Sequence, residues 1–195
     1  MFPKARLDTL SDGIYSVAMT RLVLDVRLPD DFHPQDGNEL LRGLIALWPK
    51  FLPYVLSFGV LGLRWLANIQ IRTRAEFVSR EYTSWWLFYL LLITCVPFTT
   101  MVVGRYGHFA PAIWLYAGHT LLIAAVGLRL ILITPHLEQG EHLRERQLSA
   151  VLLMGLSVLA IALSFVHPRL ALWVLVLNFA APLVHRWRRP ASVPD

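Results

Sequence analysis

The sequence predicts an all-α membrane protein, with six transmembrane helices in a single domain covering residues 1–195. Three observations carry that prediction. The first is composition: 56% of residues are hydrophobic and 16% charged, where soluble domains average about 45–50% and about 25%. Mean hydropathy is +0.52. The second is the length of the apolar runs. Residues 85–103 form 19 positions without a charge, close to the roughly 20 that one bilayer helix needs. The third is that these runs lack the period-two alternation of barrel strands. Helices are then the only form that satisfies every backbone group inside lipid.

The predicted helices cover about 8–28, 40–68, 84–104, 108–132, 148–166 and 169–186. The first is the least apolar, since it carries Asp12, Arg21, Asp25 and Arg27. Lys4 and Arg6 precede it, but Asp8 and Asp12 follow and no small-residue cleavage site appears, so no signal peptide is expected. An acidic loop over 30–39 contains Pro34 and Gly37. The second helix is long, and Pro49 and Pro53 predict a kink because each removes a backbone donor. Arg72, Arg74 and Arg80 make the next loop basic. The third run is uncharged, and in the fourth the stretch 109–128 holds His119 alone as a possible charge. A polar linker over 135–147 leads to the uncharged run 149–166. Asn178 is the one polar residue of 170–184, and the tail that follows carries Arg186, Arg188 and Arg189.

The net charge of +5 reads as an orientation signal. With both termini inside, twelve Lys and Arg fall on the inner side, Arg64 among them, and five on the outer side. That bias predicts cytoplasmic termini in a bacterial-type inner membrane. Trp48, Trp85, Trp86, Trp114, Trp173 and Trp187 fall near proposed span ends, as interfacial anchors do. The Arg clusters lack the interleaved aromatic platform of single-strand binders, so no nucleic-acid partner is expected. Cys95 is the only cysteine and the seven His residues form no metal-ligand pattern. No cofactor and no resident metal are expected. His119 lacks an evident catalytic partner, so helix packing is its simpler reading and no enzyme is expected. No internal repeat of the transporter kind relates the two halves.

Helix one concentrates the unusual chemistry. Leu10, Ile14, Val17, Arg21, Leu24 and Leu28 follow steps of 4, 3, 4, 3, 4, the seam by which a helix packs on like helices. Gly13 and Thr20 lie beside it and permit close approach. The seam serves either to line a symmetric pore or simply to pack. Ser11 and Asp12 have a capping alternative, and Arg6 with Asp12 has the alternative of an interfacial ion pair. For Arg21 the alternatives are snorkelling or a pair with Asp25 one turn on.

Arg6 followed by Leu10-Ser11-Asp12-Gly13-Ile14-Tyr15-Ser16-Val17-Ala18-Met19-Thr20 resembles the signature of the transmembrane-protein-175 family of potassium channels. Leu47-Trp48-Pro49-Lys50-Phe51-Leu52 with Trp65 resembles the family's second helix. Pro97-Phe98-Thr99-Thr100 through Gly104-Arg105-Tyr106-Gly107 resembles its third helix and following turn. The resemblance implies a homotetramer in the bilayer, with four copies of helix one around a potassium pathway. It implies an apolar constriction at Val17, pore-facing turns at Arg21 and Leu24, and a selectivity-linked hydroxyl at Thr20. Potassium would pass near Val17 and Thr20, with no permanent metal. Arg6, Ser11, Asp12 and Trp65 would form a polar network joining helices one and two. The sequence departs from the pattern in three places. Leu10 stands for a Phe, Ala67-Asn68 stands for a His pair, and Arg21 stands where bacterial relatives usually carry Leu. A ring of Arg opposes cations, so non-conduction or altered selectivity is the alternative, followed by a transporter or scaffold.

Overall fold

In the computed structural model, residues 2–71, 77–133 and 141–167 are described, together with Leu170, Ala171 and Val174. Six α-helices are seen among them. Helix α1 spans Lys4–Leu22, α2 Gly37–Ala46, α3 Trp48–Ile71, α4 Arg80–Tyr106, α5 Ala110–Ile133 and α6 Glu141–Ser164. Two two-residue strands, β1 (Phe2–Pro3) and β2 (Phe77–Val78), pair antiparallel. They bring the start of α1 to the start of α4 and leave the all-helical character intact.

The bounds differ from the sequence reading in three informative places. α1 starts four residues earlier than predicted, with Pro3 as its N-terminal cap residue. It gives way at Val23–Asp25 to a tighter 3-10 turn and does not reach residue 28. Pro29 bars a helix that continues through residue 28, because the residue before a proline is pushed out of the helical region, and the chain already leaves helical geometry at Val26. The single kinked helix expected over 40–68 is two helices, broken at Leu47. Pro49 is the cause: it has no N–H and its ring fits only a helix's first turn. Pro53 lies within α3 without ending it. The predicted sixth helix falls outside the described residues, apart from Leu170, Ala171 and Val174.

Caps define the other starts. Asp36 Oδ1 accepts from Glu39 N at 2.6 Å, and Glu39 Oε2 accepts from Gln35 N at 2.7 Å, a reciprocal arrangement close to a capping box. Ser79 Oγ accepts from Tyr82 N at 3.1 Å to start α4. Three described segments are long and apolar enough to cross a membrane: Arg80–Tyr106, Ala110–Ile133 and Gln147–Ser164.

One core lies among α1, α3, α4 and α5. Tyr15, Leu22, Leu61, Leu90 and Ile93 are almost completely enclosed there. A second sits between α5 and α6, where Ile113, Ala117 and Ala160 are fully buried. Small residues at that contact let the helix backbones approach. At the end of the bundle opposite the β1–β2 pair, Lys50 Nζ donates to the Arg27 carbonyl at 2.9 Å. α3 is thereby tied to the chain that leaves α1.

Candidate functional site

α1 has two faces. Leu7, Ser11, Tyr15, Ala18 and Leu22 are buried, at helical spacing, against α3 and α4. Four of the six seam residues point the other way, whereas Ile14 is half-buried against the main core and Leu28 is half-buried beyond the helix end. Val17 is 65% exposed and Leu24 66%, with Leu10, Thr20 and Arg21 exposed beside them. Gly13 has nothing within 4 Å of where a Cβ would sit. Within the single chain, therefore, an apolar stripe on α1 is left uncovered while the opposite stripe is fully packed.

The polar members of this face are turned in different ways. Thr20 Oγ1 donates back to its own helix, 2.9 Å from the Ser16 carbonyl and 3.1 Å from that of Val17. Its one proton serves one acceptor at a time. Arg21 and Asp25 make no ion pair, although they stand one turn apart in sequence. The 3-10 turn at Val23–Asp25 explains this, because tightening the helix removes the i,i+4 alignment. Among the described residues Arg21 thus has no ion-pair partner, on the face that carries Val17 and Leu24.

The polar network behind α1 differs in membership from the sequence reading. Trp65 Nε1 donates to Asp12 Oδ1 at 2.8 Å and joins α3 to α1. Ser11 contacts α4 and not α3: its Oγ accepts from Trp86 Nε1 at 2.8 Å and donates to the Leu7 carbonyl at 2.7 Å. Arg6 is exposed and makes no ion pair with Asp12. Helical geometry separates them, since positions five or six apart lie on different faces. Asp8 pairs near the N-terminus, with its Oδ2 3.7 Å from Lys4 Nζ.

Residues to which the sequence assigns no site role complete the interior cluster. Arg64 Nη1 donates to Tyr89 Oη at 3.3 Å, and the Tyr89 and Tyr15 hydroxyls are 3.3 Å apart. Asn68 Nδ2 donates to Tyr15 Oη at 3.2 Å. The charge distribution places Arg64 with the inner-side charges, but it lies seven residues before the end of α3 and faces other helices. Its place within an apolar run was the available signal, since ionisable groups at membrane depth face protein or water.

His119 is engaged at both ring nitrogens. Nε2 donates to the Leu92 carbonyl at 3.0 Å, and Nδ1 is 3.1 Å from Thr99 Oγ1. This is the hydrogen-bonded packing role. Among the described residues no group of three His, Cys, Asp or Glu is placed to hold a metal.

These features define a multi-pass helical membrane protein whose first helix pairs a buried polar face with an open apolar one. The model of the family described as endosomal/lysosomal potassium channel TMEM175 matches residues 6–97. A potassium channel of Streptomyces collinus is 28% identical over 156 residues, covering 77% of this chain and 72% of that protein. A potassium channel of Chamaesiphon minutus is 30% identical over 128 residues, covering 64% of this chain and 63% of that protein. The crystal structure of a lysosomal potassium-selective channel TMEM175 homolog from Chamaesiphon minutus superimposes with a TM-score of 0.72 at 27% identity. That superposition covers 91% of this chain and 96% of the other. The chain is thus similar, over most of its length, to members of the TMEM175 family, a family of channels and not of enzymes.

Proposed function

We propose that this chain is one of four identical subunits of a potassium-preferring cation channel, each with six membrane helices and α1 facing the common axis. The observation that carries the reading is the division of α1: Leu10, Val17 and Leu24 form an uncovered apolar stripe on a helix whose other face is packed. A lone exposed stripe of this kind needs either lipid or like helices beside it. The heptad spacing and the open surface at Gly13 suit like helices. Ions pass along the α1 axis, and loss of hydration at the ring of Val17 side chains limits passage, as in hydrophobic constrictions that gate by dewetting. Thr20 offers hydroxyl oxygens one turn on. Permeating potassium is the transported ion, and no cofactor takes part. Both termini lie on the cytoplasmic side of a bacterial inner membrane, as the distribution of Lys and Arg favours.

Arg21 supports a second reading, that of a channel with strongly reduced or altered selectivity. A cation passing 5 Å from one guanidinium meets a repulsion of about 3 kcal/mol at an effective dielectric of 20. Among the described residues Asp25 makes no ion pair that offsets it. Reconstitution in liposomes with potassium, sodium and chloride gradients decides between the two. A reversal potential that follows the potassium gradient supports the first reading, and one that follows chloride supports the second. The absence of flux from both wild type and Arg21→Leu, in tetramers verified by mass, overturns both.

A further inference from the structure

The interior cluster formed by Arg64, Tyr15, Asn68 and Tyr89 has more donors than acceptors. The guanidinium is a fork of N–H donors that carries no acceptor and stays charged. Among the described residues it makes one hydrogen bond, to Tyr89 Oη. Among the described residues no carboxylate lies within ion-pair distance of it: the described pairs are Lys4–Asp8, Arg27–Asp30 and Arg129–Glu81. The nearest polar groups, the hydroxyls of Tyr15, Tyr89 and Tyr116 and the Asn68 amide, are neutral and supply no counter-charge. The Tyr15 and Tyr89 hydroxyls share one hydrogen bond, so one phenolic proton is left over whichever of them donates. Tyr15 Oη also receives the Asn68 amide. Asp12, a turn before Tyr15 on α1, is aimed at the Trp65 indole.

A fixed positive charge among helices, surrounded by spare N–H and O–H donors, has the chemistry of an anion site. Leaving such a charge uncompensated is costly, and a bound anion supplies both the counter-charge and the missing acceptor. We propose that Arg64, with the hydroxyls of Tyr15 and Tyr89, binds a small monovalent anion, chloride being the natural case, between α1, α3 and α4. The anion sits behind the packed face of α1, away from the stripe of Val17 and Leu24. The proposal does not depend on which ion permeates, or on conduction at all.

The test uses the purified full-length chain in detergent. Thermal unfolding is followed while potassium gluconate is replaced by potassium chloride, at constant potassium and ionic strength. The wild-type midpoint should rise with saturation, by about 3–6 °C at a tenfold excess of chloride over its dissociation constant. Arg64→Gln should abolish the rise. Tyr89→Phe keeps the ring and loses only the hydroxyl, and should reduce the rise, so it serves where Arg64→Gln fails to fold. Crystals grown in bromide should show anomalous density beside the guanidinium. A wild-type midpoint indifferent to chloride, as expected if water fills the site, overturns the proposal. So does an equal rise in wild type and Tyr89→Phe.

Discussion

The indole N–H of Trp65 meets the carboxylate of Asp12 at 2.8 Å, a link between α3 and α1. A charged acceptor makes this hydrogen bond stronger than a neutral one. It fixes the rotation of α1 about its own axis, and that rotation determines which residues are presented on the open face.

Trp65→Phe should therefore destabilise the protein by about 1–3 kcal/mol, because a partly buried carboxylate loses a donor while most of the ring packing is kept. For a chain of this size that is a fall of roughly 2–4 °C in midpoint per kcal/mol. Thermal unfolding measures it. In a double-mutant cycle with Asp12→Asn, a coupling energy of zero would mean that the two residues act independently.

Ser11→Ala should cost a similar amount, about 1–3 kcal/mol, by leaving the buried Trp86 N–H without its acceptor. Ser11→Thr retains the hydroxyl and tests whether the hydrogen bond or the space matters. Trp86→Phe removes the orphaned donor, so it should relieve much of the Ser11→Ala defect. Additive losses in the double variant would refute that account.

The two faces of α1 should respond oppositely to truncation. Leu22 is 1% exposed, and Leu22→Ala should cost about 2–5 kcal/mol through the cavity it leaves. Val17→Ala removes a side chain that touches little of its own chain, so stability should change by no more than about 0.5 kcal/mol. Under the proposed pathway it should instead raise ion flux by widening the constriction. Paired unfolding and flux measurements on both variants separate a packing role for Val17 from a role in permeation.

Much of this organisation is legible in the sequence, and the illegible parts have identifiable causes. The apolar runs mark α4, α5 and α6 because lipid demands length and uniformity, and both survive in a linear reading. The stripe of Leu10, Val17, Arg21 and Leu24 is readable for the same reason: its spacing is local. The break at Leu47 is harder to see, since a proline can kink a helix or begin a new one, and the choice depends on where the preceding helix packs. Partners across helices are least accessible. Ser11 with Trp86 and Tyr15 with Tyr89 are separated by 75 and 74 positions, and no periodicity links them. Arg64 was visible but had an easier explanation in topology. Contact with Tyr89 is what moves it from a flanking charge to an interior one.

Arg21 provides the sharpest functional test. Its charge faces the same side as Val17 and Leu24, and the 3-10 turn at Val23–Asp25 leaves it without the Asp25 ion pair. If α1 lines the pathway, every subunit adds a repulsive contribution of about 3 kcal/mol for a cation at 5 Å and an effective dielectric of 20, reduced by screening water and salt. Even a fraction of one such contribution, about 1.4 kcal/mol, is a tenfold change in rate. Arg21→Leu should raise potassium flux in liposomes by at least about tenfold, and Arg21→Lys should leave it close to wild type because the charge persists. Chloride flux, if present in the wild type, should fall in Arg21→Leu and not in Arg21→Lys. Raising the salt concentration should narrow the gap between wild type and Arg21→Leu, since screening weakens the repulsion. Equal potassium flux in all three proteins would place the Arg21 side chain away from the permeating ion, and α1 would then present some other face to the pathway.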